Sequence, residues 1–249
     1  VLAFSSAPDY ESPTDSGGNN VYDVQVTVTD DGAGNLTDTQ DLAVTVIDVN
    51  ENPSITSGAS VNAEENQIAV MEVEATDPDA GDTPTYSITG GADQGSFSIG
   101  SLSGVLTFSS APNYESPTDD GGNNVYDVQV TVTDGTLTDV QDIAVTVTDV
   151  NDAPAGSVSI SGTLEEGQTL TANSTLADED GLGTLSYQWQ ADEVDISGAT
   201  SDTYTLTASE IGSLIRVVVS YTDDGGTDES ITSNPVGPVT AGVDITCLL

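Results

Sequence analysis

Oxygen donors are the one chemistry this sequence offers in quantity. Of its 249 residues, 42 are Asp or Glu, one is basic (Arg216) and none is His, for a formal net charge of −41. The acids gather in clusters: Asp9 and Glu11; Asp30 and Asp31; Asp48, Asn50, Glu51 and Asn52; Asp77, Asp79 and Asp82; Asp134; Asp149, Asn151 and Asp152; Asp178, Glu179 and Asp180; Asp223 and Asp224. Two carboxylates about 5 Å apart repel by about 3 kcal/mol at an effective dielectric near 20. With a single arginine in the chain, a divalent ion is the natural relief. Carboxylate, amide and carbonyl oxygens, without His or a usable Cys, are hard donors that suit Ca²⁺ at six to eight ligands and not the usual zinc or copper sites.

The same composition excludes much else. A chain without a positive patch releases no counterions from nucleic acid and has no polybasic attraction to anionic lipid. No apolar run approaches the roughly 20 residues that span a bilayer. Ser/His/Asp and Cys/His arrangements, a Schiff-base lysine and a lysine phosphate clamp are all impossible here. Carboxylate pairs can hydrolyse glycosidic bonds, but among this many acids such a pair arises by chance, and no aromatic-lined cleft is legible. The chain reads as non-enzymatic. Cys247 is unpaired, either buried in a strand or available for an intermolecular disulfide. Asn35 and Asn173 lie in Asn-x-Thr sequons and are the candidate glycosylation sites, although a Thr-rich chain supplies such matches by chance.

High charge and 5% aromatics also describe a disordered chain, and the residue pattern argues against it. Tyr22, Val24, Val26 and Val28 alternate with polar residues, as do Leu42, Val44 and Val46. That period of two predicts half-buried strands, and no helical period persists beyond a turn or two, so the chain is all-β. Residues 1–30 recur almost unchanged at 105–134, and 41–53 recurs at 142–154, which defines a unit of about 100 residues, a β-sandwich length. Residue 1 falls about halfway through a unit. Residues 1–53 therefore lack the equivalents of 54–104; either the chain is a window of a longer array, or another copy supplies the absent strands. Residues 155–240 do not repeat the unit but keep period two at Leu170, Trp189, Tyr204 and Val217, which predicts a third sandwich. The tail 241–249, with Val243, Ile245, Cys247 and Leu249 alternating, reads as an extra strand, the start of a following domain or a donor strand for a neighbour.

Residues 54–153 resemble a cadherin domain of the bacterial type. The motifs occur in the family's order: AEEN (63–66), ATDPDAGD (75–82), SFSIGSLSGVLTF (96–108), PNYE (112–115), TVTDG (131–135) and DVNDAP (149–154). The likeness covers residues 1–154 and implies calcium ions between consecutive domains. It assigns Asp9, Glu11, Asp48, Asn50, Glu51, Asn52, Asp77, Asp79 and Asp134 to a first joint. A second joint receives Glu65, Asn113, Glu115, Asp149, Asn151, Asp152, Asp178, Asp180 and Asp223. Asn113 stands where the family has Asp, and Ala153 where its linker has Asn, so the resemblance implies fewer or weaker ions at the second joint. Residues 154–240 are similar to immunoglobulin-like repeats of large bacterial surface proteins, with Trp189 as core tryptophan and no disulfide across the core.

The expected architecture is a linear array of antiparallel Greek-key β-sandwiches. Residues 1–53 form the C-terminal half of a cadherin-like domain, 54–153 a complete one, 154–240 an immunoglobulin-like domain, and 241–249 a tail or further strand. The implied function is an extracellular calcium-binding stalk of a cell-surface adhesin, rigidified at its joints by Ca²⁺, which extracellular modules bind at roughly 10⁻⁴–10⁻³ M. Its partners are then calcium, neighbouring repeats or identical subunits, and surface or matrix glycans and proteins. Two alternatives stand: a filament subunit whose half-domain or tail strand is completed by its neighbour, and a polysaccharide-binding module, which needs exposed aromatics beside a calcium loop.

Overall fold

The computed structural model describes residues 1–242, so the alternation expected through Val243, Ile245, Cys247 and Leu249 lies outside the described residues. Those residues form two compact units, 1–148 and one beginning at Asp149. The chain is all-β, with no α-helix among the described residues and two single 3₁₀ turns, at Gln94–Ser96 and Ala208–Glu210. Among the described residues no helix is long and apolar enough to cross a membrane.

The first unit opens with a hairpin, β1 (Val21–Thr29) and β2 (Thr37–Thr45), and continues through β3 (Ser54–Ile55), β4 (Ser60–Glu64), β5 (Ala69–Glu72), β6 (Ala75–Thr76) and β7 (Thr85–Gly90). It ends with β8 (Phe97–Ile99), β9 (Val105–Phe108), β10 (Val125–Thr133) and β11 (Thr138–Thr148). From β3 onward these strands make a sandwich: one sheet in the order β4-β11-β10-β7, a second in the order β5-β9-β8, and the short pair β3-β6. Alternation along β10 sends Tyr126, Val128, Val130 and Val132 inward, and β11 adds Ile143, Val145 and Val147. These meet Phe97, Leu106 and Phe108 from the opposite sheet, with Phe97 stacked on Phe108 at 4.8 Å and Phe108 edge-on to Tyr126 at 5.2 Å. One ladder departs from the antiparallel expectation: β4 runs parallel to β11. The chain starts against β6 in the small pair and then crosses to the main sheet, where it enters beside the last strand in the same direction.

The hairpin at the start shows what local sequence achieves alone. Strands β1 and β10 are the same nonapeptide, VYDVQVTVT, and both pair with the following strand in equivalent register. The loop before each is also built alike. Asp15 Oδ2 accepts the Asn19 amide and Oδ1 that of Asn20, and Asp119 does the same for Asn123 and Asn124, all at 2.9–3.1 Å. Asn20 and Asn124 both adopt φ near +60° and donate to the carbonyls of Tyr10 and Tyr114 at 2.8 Å. Even the edge-on ring pair recurs, Phe4 on Tyr22 at 5.1 Å. Burial does not recur. Phe4 is 43% exposed against 2% for Phe108, and Val28 64% against 0% for Val132. Half-burial, expected for β1 from its alternation, is reached only by its first part, because no strand flanks β1 as β7 flanks β10 and no facing sheet covers it.

The second unit contains β12 (Val158–Ser161), β13 (Thr169–Ser174), β14 (Ser186–Ala191), β15 (Val194–Asp195), β16 (Thr203–Thr205), β17 (Ile215–Thr222) and β18 (Asp228–Thr232). Sheets β12-β13-β16 and β15-β14-β17-β18 form its two layers. Trp189 on β14 is fully buried among Leu170, Leu206, Ile215, Val217 and Val219, and its indole Nε1 donates to the Ser201 carbonyl at 2.9 Å. Aliphatic groups from both sheets thus enclose the tryptophan. Arg216, on the opposite face of β17, donates from Nε to Gln190 at 2.7 Å and pairs with Glu193 at 3.1 Å.

Candidate metal centre

Buried carboxylates in this chain divide into two kinds. Asp93, Asp119 and Glu210 are buried and fully engaged in holding loops: Asp93 accepts the amides of Asp120 and Asp127, and Glu210 accepts the Thr207 amide and hydroxyl at 2.7 and 2.8 Å. Others keep a buried oxygen with no hydrogen-bond partner, namely Glu51 Oε2, Asp77 Oδ2 and Asp223 Oδ2. A buried acceptor without a donor is unfavourable by about 1–3 kcal/mol, and more when charged. All three belong to the acidic clusters of the sequence.

In the first unit the linker after β2 lies on the turns of the sandwich. The Glu51 amide donates to Asp79 Oδ2 at 2.8 Å, and the Asn50 side chain donates to Asp134 Oδ2 at 2.8 Å and to the Glu51 carbonyl at 3.3 Å. Asn52 reaches the Thr138 carbonyl at 3.5 Å. Asp77 and Asp79 share a tight turn, with the Asp79 amide on Asp77 Oδ1 at 3.0 Å, and Asp134 Oδ1 accepts the Thr136 and Leu137 amides. This scaffold gathers two groups whose carboxylate oxygens lie within 4.8 Å of one another: Glu11, Asp48, Glu51 and Asp79, and Asp77, Asp82 and Asp134. Six of the nine residues assigned to this joint are in these groups. Asn50 and Asn52 instead tie the linker down through their amide nitrogens. Asp9 Oδ1 accepts the Glu11 and Ser12 amides at 3.0 and 2.9 Å, which shapes the turn that presents Glu11. Asp82 is the addition; its signal was the acidic turn ATDPDAGD, in which only the first two Asp match the family motif.

Repulsion in the cluster has a titration signature. Desolvation and then the Asp48 carboxylate raise Glu11; desolvation followed by Glu11 raises Glu51; desolvation followed by Asp77 raises Asp82. Asp134 moves the other way, lowered by the Leu137 and Thr136 amides and the Asn50 side chain. A carboxyl raised on folding binds more protons folded than unfolded, so its contribution to stability is greatest at low pH and is lost as pH rises through the raised value. A lowered carboxyl contributes above its ordinary value and loses that contribution as pH falls through the lowered one. The cation-free chain is therefore expected to gain stability as pH falls from neutrality towards the ordinary carboxylate range and to lose it again below that range. Thermal denaturation in chelator across that range checks the sign; a melting temperature that falls steadily from neutrality contradicts it.

The residues assigned to the second joint fall in both units. In the first unit Glu65 is buried and accepts the Tyr114 amide at 2.7 Å, with Glu115 next to it in sequence. Asn113 Oδ1 accepts the Ser116 amide at 2.7 Å as Asp9 accepts that of Ser12, so the Asp-to-Asn change keeps the turn and removes the charge. In the second unit, which begins at Asp149, the Asp152 amide donates to Asp180, the Asp180 amide to Asp178 Oδ1 at 3.0 Å, and Asn151 to Glu229 at 3.1 Å. Asp223 is 6% exposed. Of the sequons, Asn35 is exposed in a turn, whereas the Asn173 amide nitrogen donates to Ser161 at 2.9 Å on the neighbouring strand.

No family model matches the chain. It is 31% identical over 200 residues to Halomucin of Haloquadratum walsbyi, covering 73% of this chain and 2% of that protein. It is 32% identical over 153 residues to human Protocadherin Fat 1, covering 57% of this chain and 3% of that one. The chain thus spans only a few per cent of the curated relatives it matches. Among solved structures, the protocadherin gammaB7 EC3-6 cis-dimer superposes with a TM-score of 0.50 at 23% identity, over 89% of this chain and 60% of that chain. The fold is cadherin-like. Drosophila N-cadherin EC1-4 is similar over 90% of this chain and 59% of that chain, at 19% identity and a TM-score of 0.44.

Proposed function

We propose that this chain is a non-enzymatic, calcium-binding repeat region of an extracellular adhesin, in which Ca²⁺ at the acidic cluster of the first unit stiffens the linker between hairpin and sandwich. One observation carries the reading. Glu51 Oε2 and Asp77 Oδ2 are buried and without hydrogen-bond donors, the first inside a group of four carboxylates and the second inside a group of three, in a chain whose one base is engaged with Gln190 and Glu193. A hard divalent cation satisfies those oxygens and neutralises the repulsion together, and oxygen-only donors of this number suit Ca²⁺ better than Mg²⁺, which keeps its waters. Cadherin-like folds and the likeness to Protocadherin Fat 1 support an extracellular, adhesive setting. Calorimetric titration of the full chain is expected to show Ca²⁺ binding that Asp77→Asn and Glu51→Gln weaken at least tenfold. An absence of binding at millimolar Ca²⁺ overturns the proposal.

The exposed face of the hairpin favours a second reading, a filament subunit. Val26 and Val28 lie open on β1, and Phe4 in the segment before it, whereas their counterparts are buried in the sandwich. A strand from a neighbouring repeat or an identical subunit, docked along β1, covers them. Sedimentation discriminates between the readings: a mass that grows with concentration supports assembly, and a constant monomer mass rejects it.

A further inference from the structure

Within the sandwich, the copy of the repeat at 105–134 is covered by one continuous stretch that runs from β7 through the 3₁₀ turn to β8. β7 pairs with β10 and sets Ile88 opposite Val130 and Tyr86 opposite Val132. Beyond it Gly91, at a φ of +100°, passes so close that an added Cβ would stand 2.3 Å from the Asp127 carbonyl oxygen. Asp93 then grips the strand. Its Oδ1 accepts the Asp120 amide at 2.7 Å and its Oδ2 the Asp127 amide at 2.8 Å, while its own amide donates to the Asp127 carbonyl at 3.0 Å. Phe97 completes the contact, stacked on Phe108 and edge-on to Tyr126.

The copy at 1–30 presents the same receptor open. Leu2, Phe4 and Tyr22 stand where the sandwich has the buried Leu106, Phe108 and Tyr126, and with Val24 and Val44 they line a groove of about 430 Å³. Farther along β1, Val26 and Val28 are exposed, where Val130 and Val132 lie under β7. The amides of Ser16 and Asp23 correspond to the two that Asp93 holds, and among the described residues no carboxylate holds them. One pattern fits every open position: an extended strand, then Gly-x-Asp, then an aromatic ring four residues after the Asp.

We propose that the edge of β1 is a docking groove for a segment of a neighbouring chain that carries a β7-like strand followed by G-x-D-x-x-x-F, the pattern of Gly91, Asp93 and Phe97. The proposal rests on the second reading above, assembly through β1, and names the partner. Main-chain pairing along β1 supplies affinity. Specificity comes from one carboxylate that binds two backbone amides and from a glycine at the point of closest approach.

The experiment is calorimetric titration of the full chain with a synthetic peptide of residues 85–99, TYSITGGADQGSFSI. Saturable binding of one peptide per chain is expected. Peptides carrying Asp93→Ala or Gly91→Val are expected to bind about tenfold more weakly or worse, the first because it leaves two amides without their acceptor. Val28→Glu in the protein alters a position that is open in the free chain and is expected to abolish binding, with circular dichroism as the check on folding. No binding at millimolar peptide, equal affinity for the altered peptides, or unchanged affinity in folded Val28→Glu, which places the peptide on β10 instead, overturns the inference. A mass that grows with concentration in a chain that binds no peptide leaves assembly standing through another surface and overturns the groove. Peptide binding by a chain of constant monomer mass upholds the groove and rejects self-assembly.

Discussion

Removing divalent cations with a chelator is expected to lower the unfolding temperature of the first unit by about 6–20 °C. Each ion that binds only the folded state stabilises it by RT ln(1 + [L]/Kd), about 1.4–2.7 kcal/mol when free Ca²⁺ is at about 10–100 times Kd. Two carboxylate groups in the first unit, one around Glu51 and one around Asp77, give the expectation of two ions. A unit of this size shifts by roughly 2–4 °C per kcal/mol. Molar NaCl is expected to restore part of the loss, because a Debye length of about 3 Å screens the carboxylates from one another without filling the site. Scanning calorimetry with Ca²⁺, with chelator, and with chelator plus salt gives the three values; equal melting temperatures in the first two remove calcium from the account.

The second large effect belongs to packing. Trp189→Ala is expected to destabilise the second unit by about 3–5 kcal/mol, the usual loss for truncating a buried large aromatic. The side chain is fully enclosed by Leu170, Leu206, Ile215, Val217 and Val219, and these come from both sheets, so collapse around the cavity is resisted from each side. The Ser201 carbonyl also loses its donor. Trp189→Phe keeps most of the volume and is expected to lose well under half as much. Urea unfolding followed by circular dichroism measures both variants, and the first unit's transition is expected to stay unchanged.

Alternation of Val, Thr and Tyr was enough to read β10, β11, β14 and β17 from the sequence, because each is covered on one side and period two records that directly. It was not enough for β1. The same nine residues are buried in one copy and open in the other, so exposure there depends on strands far away in sequence, which no local pattern encodes. Among the acids that the fold gathers into groups, Glu11, Asp48, Glu51 and Asp134 were legible because their turns and linker recur, and Asp77 and Asp79 because they share one acidic turn. Asp15 and Asp119 belong to none of those clusters, and pattern alone does not say what they hold. Their oxygens are instead taken up by the amides of their own loops, which only the fold reveals.

Arg216, the chain's one base, is the second residue of β17, paired there with Gln190 of β14, and the Val217 amide that follows it donates to Ser233 Oγ at 3.0 Å. Trypsin, which cuts after Lys or Arg, thus has a single place to act in all 249 residues, and that bond is locked inside a sheet. A protease digest of this protein is consequently an all-or-nothing clock: two fragments accumulate only at the rate at which the second unit opens.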